Sequence, residues 1–338
     1  MMVGLYSFGG FSTVIENLST ELCRRGVKVT IGAMLFKRFP SEGPYNTKTI
    51  LLNDKLRSGR SFEDFDIIHN HHAITNYFAL ITNSPFIFHY HGTPRSGKGN
   101  LYRLSLLSSV KVAGNHFAAT ITVSKTGYWD LKHYFKLGNV NVIHNGVDTD
   151  LFKPGLEGSV RKGIPQYLFV GYLYNHKRVE ELILATKRLT KTYPKVHLQI
   201  VGSGYSYGKL RMLVHKLGVQ AHIGFTGHVP YKLLPKYYSS CDVYVTASRN
   251  ELFPLPLLES WACGIPVVAS AIPAHLELIR KSGAGISYEP GDITQLVEKM
   301  KYAYEHGSQY VDHALQFAQD NDWAGIADKV LKVYAKLR

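Results

Sequence analysis

Two glutamates, Glu251 and Glu259, lie in the stretch from Thr246 to Ser270, TASRNELFPLPLLESWACGIPVVAS. The pattern predicts a strand end, a loop with Glu251, a short helix that starts in the Pro254–Pro256 region and presents Glu259, and an apolar strand after Gly264. A helix N-terminus offers unpaired N–H groups and the positive end of a dipole, so it can hold a phosphate. The stretch therefore predicts an anion site flanked by carboxylates. If no ligand binds there, Glu251 is an exposed loop acid and Glu259 a helix-dipole partner.

Two short apolar segments, DIIHNHH and PFIFHYH, predict buried strands that end in histidines. The histidines that strand alternation places on common faces are His69 with His71, and His89 with His91. Four such residues could hold a metal, but no Asp, Glu or Cys stands beside them at ligand spacing. The carboxyl edge of a parallel sheet is where α/β proteins bind ligands. We therefore predict a substrate-facing role for His91, no metal site, and for the other three histidines either a structural role or one of supporting the residues that contact the substrate.

A further motif, GTPRSGKG at residues 92–99, matches the G-x-x-x-x-G-K part of a P-loop. Gly99 occupies the position where Ser or Thr must bind magnesium, and Pro94 removes one backbone donor from the phosphate cradle. Nucleotide hydrolysis, which would depend on Lys98, is therefore the least favoured hypothesis.

The order of predicted elements indicates a doubly wound α/β fold. The chain opens as strand, glycine loop, helix and strand, with Gly9 and Gly10 in the loop. A stretch rich in glycine and proline, from Phe152 to Pro165, is typical of a linker. A second series of alternating strands and helices begins at Tyr167. At 338 residues the chain also exceeds the size at which one hydrophobic core keeps growing, so two domains are expected.

Composition restricts the protein class. The apolar runs stay well short of the roughly 18 residues that a spanning helix needs, and the N-terminus does not resemble a secretory leader. The three cysteines, Cys23, Cys241 and Cys263, lack CxxC spacing and favour reduced thiols. We expect a cytoplasmic protein, with a peripheral position on the inner face of the membrane as an alternative.

The net charge of +14 predicts an anionic partner or a solvated basic surface. Nucleic acid, anionic lipid headgroups and phosphorylated substrates would all favour such a charge, and the charge does not choose among them. The apolar and basic segment at residues 101–113, LYRLSLLSSVKVA, is either a core helix or a helix that lies on a membrane surface.

Several short motifs occur together in the order found in the retaining glycosyltransferases of family 4, which have the GT-B fold. They are Gly9-Gly10, His91-Gly92, Asn145-Gly146-Val147-Asp148, Phe169-Val170-Gly171, Gly202-x-Gly204, Phe225-Thr226-Gly227 and, most specific, the Glu251-x7-Glu259 segment. The chain resembles that family over almost its whole length. The resemblance implies two Rossmann-like α/β domains whose parallel sheets face each other across a cleft. Residues 1–153, with a helix at 321–338 that crosses back, would bind the acceptor, and residues 164–320 the nucleotide-sugar.

The resemblance implies catalytic roles for His91, Glu251 and Lys177. Glu251 would contact hydroxyls of the transferred sugar, Lys177 would neutralise the leaving diphosphate, and His91 would position the sugar. The donor-binding residues implied are Gly10, Phe11, Gly171, Tyr172, Gly202, Val229, Phe253, Pro254, Leu255 and Glu259, with Glu259 on the ribose. The family's mechanism is drawn with the acceptor attacking the face that the diphosphate leaves, without a cofactor or a required metal.

The resemblance therefore implies an enzyme that moves a hexose from a UDP- or GDP-linked donor to a glycan or lipid-linked acceptor. It implies no nucleic-acid partner, whereas an anionic membrane surface could contact the N-terminal domain. One departure concerns Tyr172, where the family normally has Arg. Tyrosine carries no charge, so the diphosphate would depend on Lys177, helped by Arg178 or Lys98. This departure keeps open a non-catalytic protein of the same fold that binds a nucleotide-sugar or a polyanion.

Overall fold

The computed structural model describes residues 2–4, 10–33, 48–51, 65–92, 99–158 and 161–337. The chain divides into two compact units, Met1–Gly146 with Trp323–Arg338, and Val147–Asp322. Each unit has its own parallel sheet flanked by helices, so the predicted α/β class with two parallel sheets is confirmed. Gly9 and the P-loop-like residues 93–98, including Lys98, lie outside the described residues.

The first unit is built on seven strands. They are β1 (Met2–Gly4), β2 (Thr30–Ala33), β3 (Lys48–Leu51), β4 (Ile68–Asn70), β5 (Phe86–Tyr90), β6 (Phe117–Thr122) and β7 (Val140–Val142). The sheet order is β3-β2-β1-β4-β5-β6-β7, and its pairs are parallel. Helices α1 (Gly10–Arg24), α2 (Gly99–Ala113) and α3 (Lys125–Trp129) accompany them, with a 3-10 helix at Ala73–Leu80 and a π-helix at Asp130–Tyr134.

The second unit repeats this design. Its strands are β8 (Gln166–Val170), β9 (His197–Val201), β10 (Ile223–Gly227), β11 (Val243–Thr246), β12 (Val267–Ser270) and β13 (Gly285–Tyr288). Its helices are α4 (Val179–Leu189), α5 (Tyr207–Leu217), α6 (Leu234–Tyr238), α7 (Leu255–Ala262), α8 (Pro273–Ser282), α9 (Ile293–His306) and α10 (Val311–Asp320). The strand order in this parallel sheet is β10-β9-β8-β11-β12-β13. Successive strands from β8 to β10 extend the sheet on one side and those from β11 to β13 on the other, so the topological switch point lies between β8 and β11. Such a switch point is where open α/β sheets bind ligands, beyond the carboxyl ends of the strands.

Apolar side chains cover both faces of the second sheet. Along β8, Tyr167 and Phe169 pack into one buried cluster, whereas Leu168 and Val170 pack into the cluster on the opposite face. This alternation follows from the two-residue period of a strand. Because both faces are buried, β8 reads as a continuous apolar run in the sequence.

The segment that composition indicated to be a linker belongs partly to the second core. Phe152 is fully buried and packs edge-on against Tyr231 and Tyr238. That prediction is therefore wrong at Phe152, because glycine and proline content reports turns and does not exclude an anchoring aromatic residue.

The last helix, α11 (Trp323–Ala335), belongs to the first unit. The Arg25 guanidinium donates to Asp328 Oδ1 at 2.5 Å and to the Ala324 carbonyl at 2.7 Å. The Trp323 ring lies so close to Gly146 that an added Cβ there would stand 2.8 Å from it. Within the described ranges, no helix combines the length and apolar character needed to cross a membrane.

Candidate functional site

The switch point of the second sheet brings together a lysine and a carboxylate. Lys177 ends a short 3-10 helix that follows β8, and Glu251 lies in the loop after β11. The Arg249 N–H donates to the His176 carbonyl at 2.7 Å, which joins the two loops at the backbone. The Lys177 ammonium then donates to Glu251 Oε1 and forms an ion pair. Two of the three predicted catalytic residues are thus in direct contact.

The environment keeps Glu251 ionised. Burial alone would raise the pKa of this carboxyl group, but the charge and hydrogen bond of Lys177 outweigh burial and lower it below its ordinary value. The two side chains are only 17% and 15% exposed, so neither charge is fully hydrated. The ion pair therefore holds a negative and a positive charge ready at the edge of the sheet.

A neighbouring acidic residue fixes both loops. Glu181, in the first turn of α4, accepts hydrogen bonds at 3.0 Å from Arg178 and at 3.0 Å from Arg249. Arg178 directly follows Lys177, and Arg249 lies two residues before Glu251. This buried carboxylate therefore limits the movement of the loops that carry the ion pair.

Glycines allow three strand ends to approach closely. A Cβ at Gly202 would lie 1.9 Å from the Gly171 carbonyl oxygen, and the φ of Gly202 is +137°. The Gly202 N–H also donates to the Gly227 carbonyl at 2.8 Å. Only glycine fits at position 202. The predicted donor-binding residues Gly171 and Gly202 therefore lie together beside the switch point.

Helix α7 begins where the sequence predicted it, at Leu255, with Pro254 in an extended conformation before it. Phe253 packs partly buried against the core. The first turn therefore stands just after the Glu251 loop, and its geometry suits an anion.

Glu259 on α7 is almost fully buried rather than presented to solvent. Its Oε2 accepts a 2.8 Å hydrogen bond from the Tyr238 hydroxyl of α6. Burial raises the pKa of Glu259 to about 7, and the Tyr238 hydrogen bond only partly opposes this. The predicted donor residue Val229 is also buried, in the core that contains Leu257.

Tyr172, at the position where the sequence departs from the family pattern, takes part in an aromatic stack. Its ring lies 5.2 Å from that of Tyr174 at an interplanar angle of 9°, and Tyr174 lies 4.8 Å from Tyr205. Tyr205 is 69% exposed. The stack therefore places aromatic rings at this position and supplies no positive charge.

Sequence reasoning missed His275 on α8. This residue is fully buried, its Nδ1 lies 2.8 Å from the Ser270 carbonyl, and its Nε2 has no hydrogen-bond partner. Burial lowers its pKa to about 4, although the charge of Glu251 opposes this. His275 is therefore a neutral imidazole within electrostatic reach of Glu251. No motif marks it, because Glu251 lies in the loop after β11 and His275 on α8, and the fold brings the two within electrostatic reach.

The remaining predicted site residues belong to the first unit. Gly10 and Phe11 form the first turn of α1. His91 follows β5 and is half-buried, and burial lowers its pKa to about 3. Its Nε2 lies 2.9 Å from Nδ1 of His71.

Taken by itself, the site of the second unit can perform two tasks. The Lys177 ammonium and the amide groups at the start of α7 are suited to bind a phosphate group. The Glu251 carboxylate is suited to accept hydrogen bonds from hydroxyl groups. This combination fits a ligand that contains both.

Family models match both halves of the chain. A model described as "Glycosyl transferases group 1" matches residues 158–320, and one described as "Glycosyltransferase Family 4" matches residues 8–151. Among curated proteins, a D-inositol 3-phosphate glycosyltransferase of Corynebacterium aurimucosum is 24% identical over 97% of this chain and 91% of its own length. An uncharacterized glycosyltransferase of Methanocaldococcus jannaschii is 28% identical over 80% of this chain and 75% of its own. A D-inositol 3-phosphate glycosyltransferase of Thermomonospora curvata is 29% identical over 58% of this chain, and the matched part spans 51% of that relative's length.

Solved structures show the same fold. Sucrose-phosphate synthase of Thermosynechococcus elongatus superimposes with a TM-score of 0.85 at 18% identity, over 99% of this chain and 98% of that one. HepE of Anabaena, solved in complex with UDP, gives a TM-score of 0.78 at 17% identity, over 99% of each chain.

Proposed function

Because this chain belongs to the family 4 glycosyltransferases, we propose that it transfers a hexose, with retention of anomeric configuration, from a nucleoside diphosphate sugar to a hydroxyl group of a glycan or a lipid-linked acceptor. The observation that carries the proposal is the ion pair of Lys177 and Glu251 beside the first turn of α7. It places a cation for a diphosphate next to a carboxylate for sugar hydroxyls.

The chemistry of transfer matches these charges. Breaking the bond between sugar and phosphate builds positive charge on the anomeric carbon and negative charge on the diphosphate. A fixed ammonium group and oriented amide groups stabilise that negative charge without reorganisation. In the proposed complex Lys177 therefore turns from Glu251 toward the diphosphate.

Glu251 acts in this proposal as a positioning group rather than a nucleophile. Lys177 keeps the Glu251 carboxylate ionised in the free protein, and when Lys177 turns toward the diphosphate the carboxylate oxygens accept hydrogen bonds from sugar hydroxyls. The acceptor hydroxyl attacks the face that the diphosphate leaves, and its proton passes to the departing phosphate oxygen. Every atom and charge balances without a covalent enzyme intermediate or a metal ion.

A uridine diphosphate sugar is the first donor to test. HepE has been solved with UDP and with UDP-glucose, and its fold is shared by this chain. A guanosine diphosphate sugar is the alternative. We propose that Gly171, Gly202, Phe253, Pro254, Leu255 and Glu259, together with Tyr172, Val229, Gly10 and Phe11, shape the donor site, and that His91 contacts the sugar.

The acceptor proposal includes an anionic membrane surface. Helix α2 buries Leu106 and Val110 on one face but leaves Leu104 at 61% and Leu107 at 40% exposed. The spacing of Leu104, Leu107 and Lys111 places them on one helix face. An exposed face with apolar and basic side chains suits a surface of anionic lipid headgroups, where a lipid-linked acceptor would reside.

The test combines donor binding with transfer. Thermal unfolding with a panel of UDP- and GDP-hexoses identifies the donor, because a ligand at many times its dissociation constant raises the unfolding temperature. The selected donor is then incubated with oligosaccharide and lipid-linked acceptors, and release of nucleoside diphosphate and anomeric configuration are measured. Retained configuration in the product supports the proposal. Donor binding without release, in the presence of every acceptor and unchanged in Glu251→Ala, would support a non-catalytic binding protein instead.

A further inference from the structure

Four imidazoles of the first unit form a block at the ends of β4 and β5. Two pairs are linked through their ring nitrogens, His69 Nε2 to His89 Nδ1 at 3.1 Å and His71 Nδ1 to His91 Nε2 at 2.9 Å. The pairs stack on each other, with ring centroids 4.5 Å apart for His69 and His71 and 4.2 Å apart for His89 and His91. The block follows from the alternation of each strand and from the parallel pairing of β4 with β5.

Two nitrogens in this block have no hydrogen-bond partner. They are Nε2 of His71 and Nε2 of His89, whose side chains are 1% and 3% exposed. The two rings lie next to each other, with centroids 4.8 Å apart. Buried polar atoms in native proteins are almost always paired. These two nitrogens therefore indicate a bound group, either a metal ion that takes their lone pairs or an acceptor for their N–H groups.

We propose that His69, His71 and His89 bind a divalent transition-metal ion, with Zn²⁺ as the first candidate. One ring nitrogen from each residue lies within 4.8 Å of the other two. Zinc–nitrogen bonds of about 2.0–2.1 Å in a tetrahedral site require nitrogens about 3.4 Å apart. The nitrogens that lie farthest apart therefore approach each other by at most about 1.4 Å on binding, which small rotations of the imidazole rings provide.

The ligand set selects the class of metal. Three imidazoles without a carboxylate favour Zn²⁺, Co²⁺, Ni²⁺ or Cu²⁺ over the oxygen-seeking Mg²⁺ and Ca²⁺. Three protein ligands leave a fourth position for water. The sequence led us to expect no metal here, since neither an acid nor a cysteine stands at ligand spacing. Three histidines make such residues unnecessary.

Outer partners already orient two of the three ligands. The Tyr334 hydroxyl of α11 lies 2.7 Å from His69 Nδ1, and His91 Nε2 lies 2.9 Å from His71 Nδ1. These contacts leave Nε2 of each ring for the metal, in the arrangement that commonly supports histidine ligands. His89 releases His69 when the ion enters. The ion would then link β4 and β5 to the Tyr334 side chain of α11.

Metal content provides the test. The full chain is purified without a histidine tag, stripped with a chelator and titrated with Co²⁺ and Zn²⁺. We expect one ion per chain, a visible Co²⁺ absorption typical of a low-coordinate site, and an unfolding temperature that rises with Zn²⁺. His71→Asn and His89→Gln should each lose the absorption and the rise. The matched control His116→Gln removes an exposed histidine of the same unit and should retain both.

Two outcomes overturn the proposal. Wild-type protein that takes up no stoichiometric metal shows that the two nitrogens are satisfied in another way. Equal uptake by wild type, His71→Asn and His89→Gln places the ion elsewhere. Because the first readout uses the wild-type chain, it remains decisive even if a histidine variant fails to fold.

Discussion

Lys177 and Glu251 form an ion pair across the switch point of the second sheet, between the loops that follow β8 and β11. The pair is largely buried and lies in a segment fixed by Glu181 through two arginines. Removing either partner leaves a poorly hydrated charge behind, so the pair couples stability to the proposed activity.

Replacing Lys177 by alanine should lower turnover at least tenfold, because the leaving diphosphate loses its cation while Tyr172 supplies no charge. Initial rates with saturating donor and acceptor measure the effect. Lys187→Ala, on the exposed face of α4, is the matched control and should retain the wild-type rate. A nearly unchanged rate in Lys177→Ala would remove this residue from the proposed site.

Glu251 should make the protein less stable in acid. Its pKa is lowered in the folded state, because Lys177 outweighs the opposing effect of burial, so its contribution is present above its ordinary pKa near 4.5 and is lost as pH falls through the folded value. Wild-type unfolding temperature should therefore drop in that range. Glu251→Gln should start lower at pH 7, by roughly 1–3 kcal/mol for the unpaired Lys177, and show a shallower acid decline. Parallel curves for both proteins would contradict the assigned pKa shift.

Glu259 should make the protein less stable as the pH rises, the opposite of the effect of Glu251. Burial raises its folded pKa to about 7 from an ordinary value of 4.5, so the native state binds the extra proton and loses stability as pH rises between these values. At about 1.4 kcal/mol per pKa unit, the loss is on the order of 3 kcal/mol. Glu259→Gln should therefore flatten the decline of unfolding free energy between pH 5 and pH 8. Glu298→Gln, an exposed carboxylate on α9, should leave the wild-type slope unchanged. A wild-type slope in Glu259→Gln would show that Glu259 is ionised throughout.

Local patterns were sufficient for the elements of the second unit and for the start of α7. Strand alternation, helix periodicity and Pro254 act within a few residues, so they can be interpreted from the sequence alone. Contact between Lys177 and Glu251 needed more, because 74 residues separate them. The family resemblance placed both at one site, and the sheet order explains why they meet.

Burial of functional groups was not predictable in the same way. Glu259 faces Tyr238, which belongs to another helix, and His275 interacts electrostatically with Glu251, which lies in the loop after another strand. Phe152 anchors the core from a segment whose composition indicates turns. In the first unit, alternation placed the histidines in pairs, but the contact between the pairs depends on how β4 and β5 pair. Each of these features arises from contacts between distant segments.

Membrane association should depend on the exposed face of α2. Leu104 and Leu107 are exposed and share a helix face with Lys111. Removing their apolar side chains reduces the apolar area that can enter the headgroup region, while the charge of Lys111 remains. We expect the wild-type chain to float with vesicles that contain anionic lipid, and to be released by salt, because added ions screen surface charges. Leu104→Ser/Leu107→Ser should float severalfold less. Leu233→Ser, which removes an exposed leucine from the second unit, should float like the wild type. Absence of salt-sensitive flotation in the wild type would exclude this surface as the route to a lipid-linked acceptor.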